Sequence, residues 1–257
     1  MTVKILCLDL ETAPSTVYSW GLFNQNIGIN QVAFDEYCLC WCAKWLDNKK
    51  VMSDALINYS DYKKDPRNDV HIAKSLHKLV DEADIIVTHN GIDFDLKWIN
   101  TLFIKHKLKP VSAYKAVDTC IEARKRFRFL SNKLDFICQK LNMGRKLNTG
   151  GFELWVKCMN GEKAAWNKMV SYCKQDILLL EQLYLKMRPY MRNHPNLSVF
   201  VERKEMICPS CGSKKLESRG VTRTATCKFR RYQCQDCGKW MRGNTKLPYE
   251  KAKTIGI

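Results

Sequence analysis

Asp9-Leu10-Glu11 sets two carboxylates two residues apart near the start of the chain. On a strand such residues project to one face, and side by side they repel unless a cation lies between them. A solvated strand end reads equally well from this triplet alone. His89-Asn90-Gly91-Ile92-Asp93-Phe94-Asp95 is a second acidic stretch, in which Gly91 permits a tight turn and Asp93 or Asp95 stands where a helix would start. In the third, Tyr172-Cys173-Lys174-Gln175-Asp176, the tyrosine and the aspartate are four apart and therefore neighbours on one helix face. Asp176 is flanked by Cys173 and Ile177, close to an apolar stripe, where a carboxylate needs either a cation or a salt-bridge partner.

Cys208-Pro209-Ser210-Cys211-Gly212 and Cys234-Gln235-Asp236-Cys237-Gly238 are two C-x-x-C-G knuckles, with 22 residues between Cys211 and Cys234. Four thiolates so spaced suit one tetrahedral structural Zn2+, and the glycines let the backbone fold back around it. The expectation is a zinc ribbon held by Cys208, Cys211, Cys234 and Cys237. A chance pairing or a redox pair fits two knuckles less well. Cys227, the fifth cysteine of this region, is expected to be a packing residue. The other eight of the thirteen are scattered through apolar stretches such as Tyr37-Cys38-Leu39-Cys40-Trp41-Cys42. Cys40 and Cys42 would share a strand face, but two sulfurs without further ligands make no metal site.

The elements that must position these groups follow from hydrophobic period. Residues 3–10 read as a buried strand, and 37–46 and about 50–57 as further strands rich in aromatic and β-branched side chains. Val70, Ala73, Leu76, Leu79 and Val80 repeat at helical spacing over 69–82, with Asp69 as the expected cap. Residues 84–88 form a short apolar strand and 94–103 return to helical period, which implies a parallel crossover. Beyond residue 110 the chain reads as mostly helical, near 118–128, 133–142 and 162–188. Pro189 ends the last helix.

Charge points to the partner. The 43 Lys and Arg outnumber the 26 Asp and Glu, giving +17, and the excess is concentrated late: 29 basic against 21 acidic residues up to residue 200, then 14 against 5. Such a field attracts polyanions, nucleic acid first. Arg223, Lys228, Arg230, Arg231, Trp240 and Arg242 interleave basic and aromatic side chains between and after the knuckles. This pattern is suited to phosphates and bases, although Tyr232 and Trp240 could equally pack the ribbon's own core. Arg124-Lys125-Arg126-Phe127-Arg128 is a second basic run, read either as a solvated helix face or as a substrate contact. No apolar run approaches the length of a membrane span, and Asp9 interrupts the start where a signal peptide would stay apolar. The expected location is the cytoplasm.

Taken in order on strand, turn and helix, Asp9-x-Glu11, Asn90-x-x-x-Phe94-Asp95 and Tyr172-x-x-x-Asp176 resemble the DEDD superfamily of 3′→5′ exonucleases over roughly residues 1–188. Tyrosine four residues before the last aspartate marks the tyrosine branch; the histidine branch would need His at the position of Ser171. Within the superfamily the chain is similar to small polymerase-B-like exonucleases, often encoded by phages, in which case the location would be the host cytoplasm. The resemblance implies an α/β ribonuclease H-like fold: a mixed five-stranded sheet, three strands antiparallel at its start and two parallel additions, with flanking helices. It implies two Mg2+ or Mn2+ ions, Asp9 bridging both, Glu11 and Asp176 completing the one that binds the attacking water, and Asp95 supporting the other directly or through water. Tyr172 would orient that water, since a phenol with a pKa near 10 is a poor base.

The resulting expectation is an exonuclease domain at 1–188, a linker at 189–205, a zinc ribbon at 206–245 and a basic tail at 246–257. The substrate would be single-stranded or 3′-terminal DNA, with RNA, internal cleavage, or a catalytically inactive binding protein as the alternatives. The ribbon also leaves a protein partner open.

Overall fold

The computed structural model describes residues 3–202 and 205–248, so most of the basic tail, residues 249–257, lies outside the described residues. The chain divides into two compact units, residues 4–184 and residues 185 onward. In the first unit the elements run β1 (Ile5–Ala13), β2 (Thr16–Val17), β3 (Val32–Phe34), β4 (Tyr37–Trp45), β5 (Met52–Ala55), α1 (Val70–Asp81), β6 (Ile85–Thr88), α2 (Asp95–Lys105), β7 (Lys115–Asp118), α3 (Thr119–Arg126), α4 (Leu134–Lys140), α5 (Glu153–Met159) and α6 (Lys163–Met187).

Five strands make the main sheet, in the order β5-β4-β1-β6-β7. β1, β4 and β5 pair antiparallel, while β6 and β7 add in parallel, which is the expected mixed ribonuclease H-like sheet. β1 is central because Ile5, Leu6, Cys7 and Leu8 are all buried, as strands covered on both faces are. Its ladder with β6 ends at Cys7↔Val87, whereas its ladder with β4 continues to Ala13↔Tyr37. The second half of β1, with Asp9 and Glu11, therefore has a sheet neighbour on one side only. On the other side stands the turn that follows β6.

Long α6 follows the apolar stripe: Trp166, Met169, Cys173, Ile177, Leu180 and Tyr184 are buried. Lys44, buried on β4, pairs with Glu181 of this helix.

Three expectations need correction. The helices expected beyond residue 110 are present, but the stretch also holds a strand that hydrophobic period does not locate, Lys115–Asp118, which forms β7, the sheet's edge strand; four residues opening on an exposed lysine carry almost no periodic signal. Asp69 does not cap α1 with its side chain. Its carboxylate is buried and accepts from Cys38 N at 3.1 Å, Lys105 Nζ at 3.0 Å and His106 Nε2 at 2.6 Å, tying β4 to the end of α2. α5 occupies a stretch in which no element was expected.

The second unit contains β8 (Leu216–Arg223), β9 (Lys228–Cys234) and β10 (Trp240–Lys246), an antiparallel sheet ordered β10-β9-β8. Among the described residues no helix is long and apolar enough to cross a membrane.

Candidate active site and cysteine centre

Asp9 and Glu11 lie on one face of β1, opposite Cys42 and Cys40 of β4. Across that face α6 lays Cys173, whose thiol is 3.8 Å from both the backbone O and Oδ2 of Asp9. Ligand atoms of Asp9, Glu11 and Cys173 all fall within 4.8 Å of one another. Sequence reasoning did not single out Cys173, because nothing local says which strand a helical cysteine will face.

Asp95 arrives from the other side. Beyond the end of β6, Leu10 N of β1 has no strand partner there, and it donates to Asp95 Oδ1 at 2.9 Å. The turn bringing Asp95 in is clamped by Asp118, buried at the end of β7. Its carboxylate accepts from Asn90 N at 2.9 Å and Ile92 N at 3.1 Å, and also from Cys120 N and Ile121 N at the start of α3. Four amides on one carboxylate satisfy two chain turns at once. Gly91 is required by space: a Cβ there would stand 2.4 Å from Thr88 Cβ and 2.7 Å from Asp95 Oδ2. Asp93, the other aspartate of the turn, is exposed and pairs with Lys97 at 3.2 Å.

Tyr172 and Asp176 share one face of α6, as their spacing implies, and both meet Lys146. Lys146 Nζ lies 2.6 Å from Asp176 Oδ2 and 3.0 Å from the Tyr172 hydroxyl. The lysine's own amide donates to Asp135 Oδ1 at 2.7 Å, which fixes the loop that carries it. The salt-bridge partner anticipated for Asp176 thus exists, yet it satisfies one oxygen only. Asp176 is 2% exposed and its Oδ1 is buried without a hydrogen-bond partner. Lys146 itself sits in a polar loop with no motif around it, so no sequence signal could have found it.

The electrostatics tests whether a divalent cation fits. Burial, then the charges of Asp95, Glu11 and Asp176, push the Asp9 carboxyl well above the usual carboxylate range. Burial and Asp176 raise Glu11 to about 8, and burial raises Asp95 to about 6 against the pull of the Leu10 amide. Asp176 is raised by burial as well. Lys146 lowers all four, a single positive charge among carboxyls that repel one another. An oxygen-rich, charge-deficient centre of this kind suits Mg2+ or Mn2+.

In the second unit the two knuckles mirror each other. Gly212 N donates to Cys208 O and Gly238 N to Cys234 O, both at 2.9 Å, with φ of 76° and 77° at the glycines. Cys208 and Cys237 sulfurs are 3.6 Å apart, as are those of Cys211 and Cys234, and all four gather within 4.8 Å. The Cys211 thiol and nearby amides pull Cys208 down to about 5 against the cost of burial, while the Cys208 thiol pushes Cys211 up and burial raises Cys237 to about 11, as crowded thiols share their protons unequally. Cys227 is no part of this cluster and no core residue. It is half-exposed in the β8–β9 turn, its amide bonded to Thr224 Oγ1 at 3.1 Å.

The basic residues are distributed unequally. Arg124 and Lys125 are exposed in the last turn of α3, while half-buried Arg126 lies 3.6 Å from Glu122. On the ribbon, Arg223, Arg230, Arg231 and Arg242 are exposed, Lys228 is half-buried, and Trp240 is 47% exposed.

The mixed sheet and its carboxylate centre define the class of RNase H-like nucleases, which use divalent metals. Residues 42–188 match the model of the RNase_H_2 family of the RNase_H superfamily, and the chain belongs to that superfamily. The matched stretch contains Asp95, Tyr172 and Asp176; Asp9 and Glu11 precede it. Among solved structures, the family B DNA polymerase from the hyperthermophilic archaeon Pyrobaculum calidifontis is similar in fold. The TM-score is 0.50 at 13% identity, over 74% of this chain and 25% of the polymerase, so the chain spans about a quarter of that protein's length. No curated protein matches in sequence.

Proposed function

We propose that this protein is a metal-dependent 3′→5′ exonuclease of nucleic acid, with DNA favoured, of the tyrosine-branch DEDD type. The observation that supports the reading best is that Asp9 and Glu11 lie with ligand atoms within 4.8 Å of each other on β1, Asp95 of α2 is bonded to the residue between them, and Asp176 of α6 pairs with Lys146 while its charge reaches both β1 carboxyls. Held by these carboxylates, two Mg2+ or Mn2+ ions would activate a water and stabilise the leaving oxygen of a phosphodiester. Each carboxyl must shed its proton to serve, and the raised values of Glu11 and Asp95 make loading steeply pH-dependent. Tyr172, pushed up to about 12 by burial, keeps its proton at neutral pH. Anchored by Lys146, its hydroxyl positions a water and does not act as base. The ribbon, folded around one Zn2+, assists nucleic-acid binding.

End-labelled single- and double-stranded DNA and RNA test this, with Mg2+, with Mn2+ and with EDTA. A 3′-labelled DNA strand should release its label as mononucleotide, and a closed single-stranded circle should resist. Cleavage of the circle would make the enzyme an endonuclease, and faster turnover of RNA a ribonuclease. Asp9→Ala should abolish cleavage while leaving binding largely intact; near wild-type activity in that folded variant would discard the assigned centre.

A further inference from the structure

One face of the C-terminal sheet carries a pattern that the proposed chemistry does not use. Residues 229, 231 and 233 of β9 point to one side, and the register sets Arg242 opposite Arg231 and Trp240 opposite Gln233 on that side. Diagonal neighbours then interlock. The Arg231 guanidinium lies over the Trp240 ring, 4.6 Å from its centroid, and that of Arg242 over the Phe229 ring at 4.0 Å. Arg231 Nε also donates to Arg219 O of β8 at 2.9 Å. Two arginines and two rings thus form a checkerboard, while Arg230, Tyr232 and Met241 alternate to the opposite side.

A guanidinium stacked on a ring is already oriented, so it gives up less freedom when its remaining N–H groups grip a phosphate. With the arginine stacked on it, Trp240 is still 47% exposed as a residue, and an aromatic side chain so exposed can stack with an unpaired base but not with a paired one. β10 is an edge strand, and a hollow of about 420 Å³ involves it, with Asn196, Ser198, Glu205, Met241, Arg242 and Asn244 among its lining residues. That is room for a small ligand, with polar groups to meet its edges. The excess of basic over acidic residues after residue 200 supplies the complementary charge.

We propose that this face binds single-stranded nucleic acid, with Arg231 and Arg242 on backbone phosphates, Trp240 under a base and the neighbouring base in the hollow. The inference rests on nucleic acid being the substrate and adds the face, the strand state and the residues.

The test is binding, not cleavage. The full chain carrying Asp9→Ala, zinc-loaded and without Mg2+ or Mn2+, is titrated into a fluorescent oligothymidylate and into a duplex of equal length while anisotropy is followed over a range of salt. Failure of the nuclease reading leaves this measurement untouched. Arg231→Ala and Arg242→Ala should each flatten the log–log salt slope by about 0.7. Arg230→Ala, which removes the same charge from the other side, should weaken binding clearly less. Trp240→Ala should cost about tenfold for the single strand, Trp240→Phe should recover most of it, and the duplex should respond to neither. Should an alanine variant shed its zinc, Arg231→Lys and Arg242→Lys decide: they keep the salt slope but should lose several-fold in affinity. Equal effects of Arg230→Ala and Arg231→Ala, duplex binding as tight as single-strand binding, or lysine variants of unchanged affinity would each overturn the proposal.

Discussion

Lys146 and Tyr172 show how much of the centre is decided by single side chains. Tyr172 keeps its proton and touches Lys146, whereas Asp176 offers a buried oxygen with no partner, so the two should fail differently. Tyr172→Phe should reduce cleavage by about 10²-fold, the low end for acid–base groups, and should recover measurably in high Mn2+. Asp176→Ala should cost more and should not recover. The opposite order would mean that the phenol supplies chemistry or that Asp176 holds no ion. Lys146 makes a separate prediction because it lowers all four carboxyls. Removing it in Lys146→Met lets each rise further, so their ionised, metal-competent forms should appear only at higher pH. The acid limb of the pH–rate profile should move to higher pH, and a rise of one unit would cost about tenfold in ionised carboxylate on that limb. A limb that stayed in place would make Lys146 a structural tie only. Asp9, Glu11, Asp95, Tyr172 and Asp176 were singled out in the sequence because their ordered set resembles the DEDD exonucleases; spacing alone left a solvated strand end, a helix-start acid and a salt bridge open. Lys146 and Asp118 were not singled out, because each acts through tertiary contacts with residues 26 to 30 positions away.

Among the elements, the turn between β6 and α2 controls the geometry most tightly. Asp118 pins its backbone, Leu10 N catches Asp95 as it emerges, and Gly91 leaves no room for a side chain. Gly91→Ala should push the turn away from Thr88, costing about 1–3 kcal/mol as overpacking does. Displacing Asp95 by about 1 Å should lower activity by about 10²-fold. Thermal denaturation with the cleavage assay checks both; a variant with wild-type stability and rate would show that the turn yields freely. Sequence period located β1, β4, β6, α1, α2 and α6, whose apolar faces are long or unbroken. It missed β7, whose four residues owe their strand state to pairing with β6, and it misread Asp69, since a cap and a buried anchor look alike before the fold brings Lys105 and His106 to it.

At the scale of the molecule, about half of the net charge lies in a stretch of chain apart from the proposed catalytic carboxylates. Residues 206–257 hold twelve basic and three acidic residues of a chain with net charge +17, together with the four clustered cysteines. None of the proposed catalytic carboxylates lies there, and residues 4–184 form a unit with their own buried sheet and helices. Deleting 206–257 should therefore leave a folded protein that cleaves short oligonucleotides at saturating concentration nearly as fast as the whole chain. Its affinity for longer strands should fall. The log–log salt slope should drop by about 0.7 for each single-strand phosphate that the ribbon no longer neutralises, or about 0.9 on duplex. Anisotropy titrations over a range of salt, run beside single-turnover cleavage, separate the two effects. Truncation that left affinity and slope unchanged would make the ribbon a protein-docking module and its arginines solvated charge. Truncation that abolished cleavage of short substrates at saturation would mean instead that the ribbon is needed to build the centre itself.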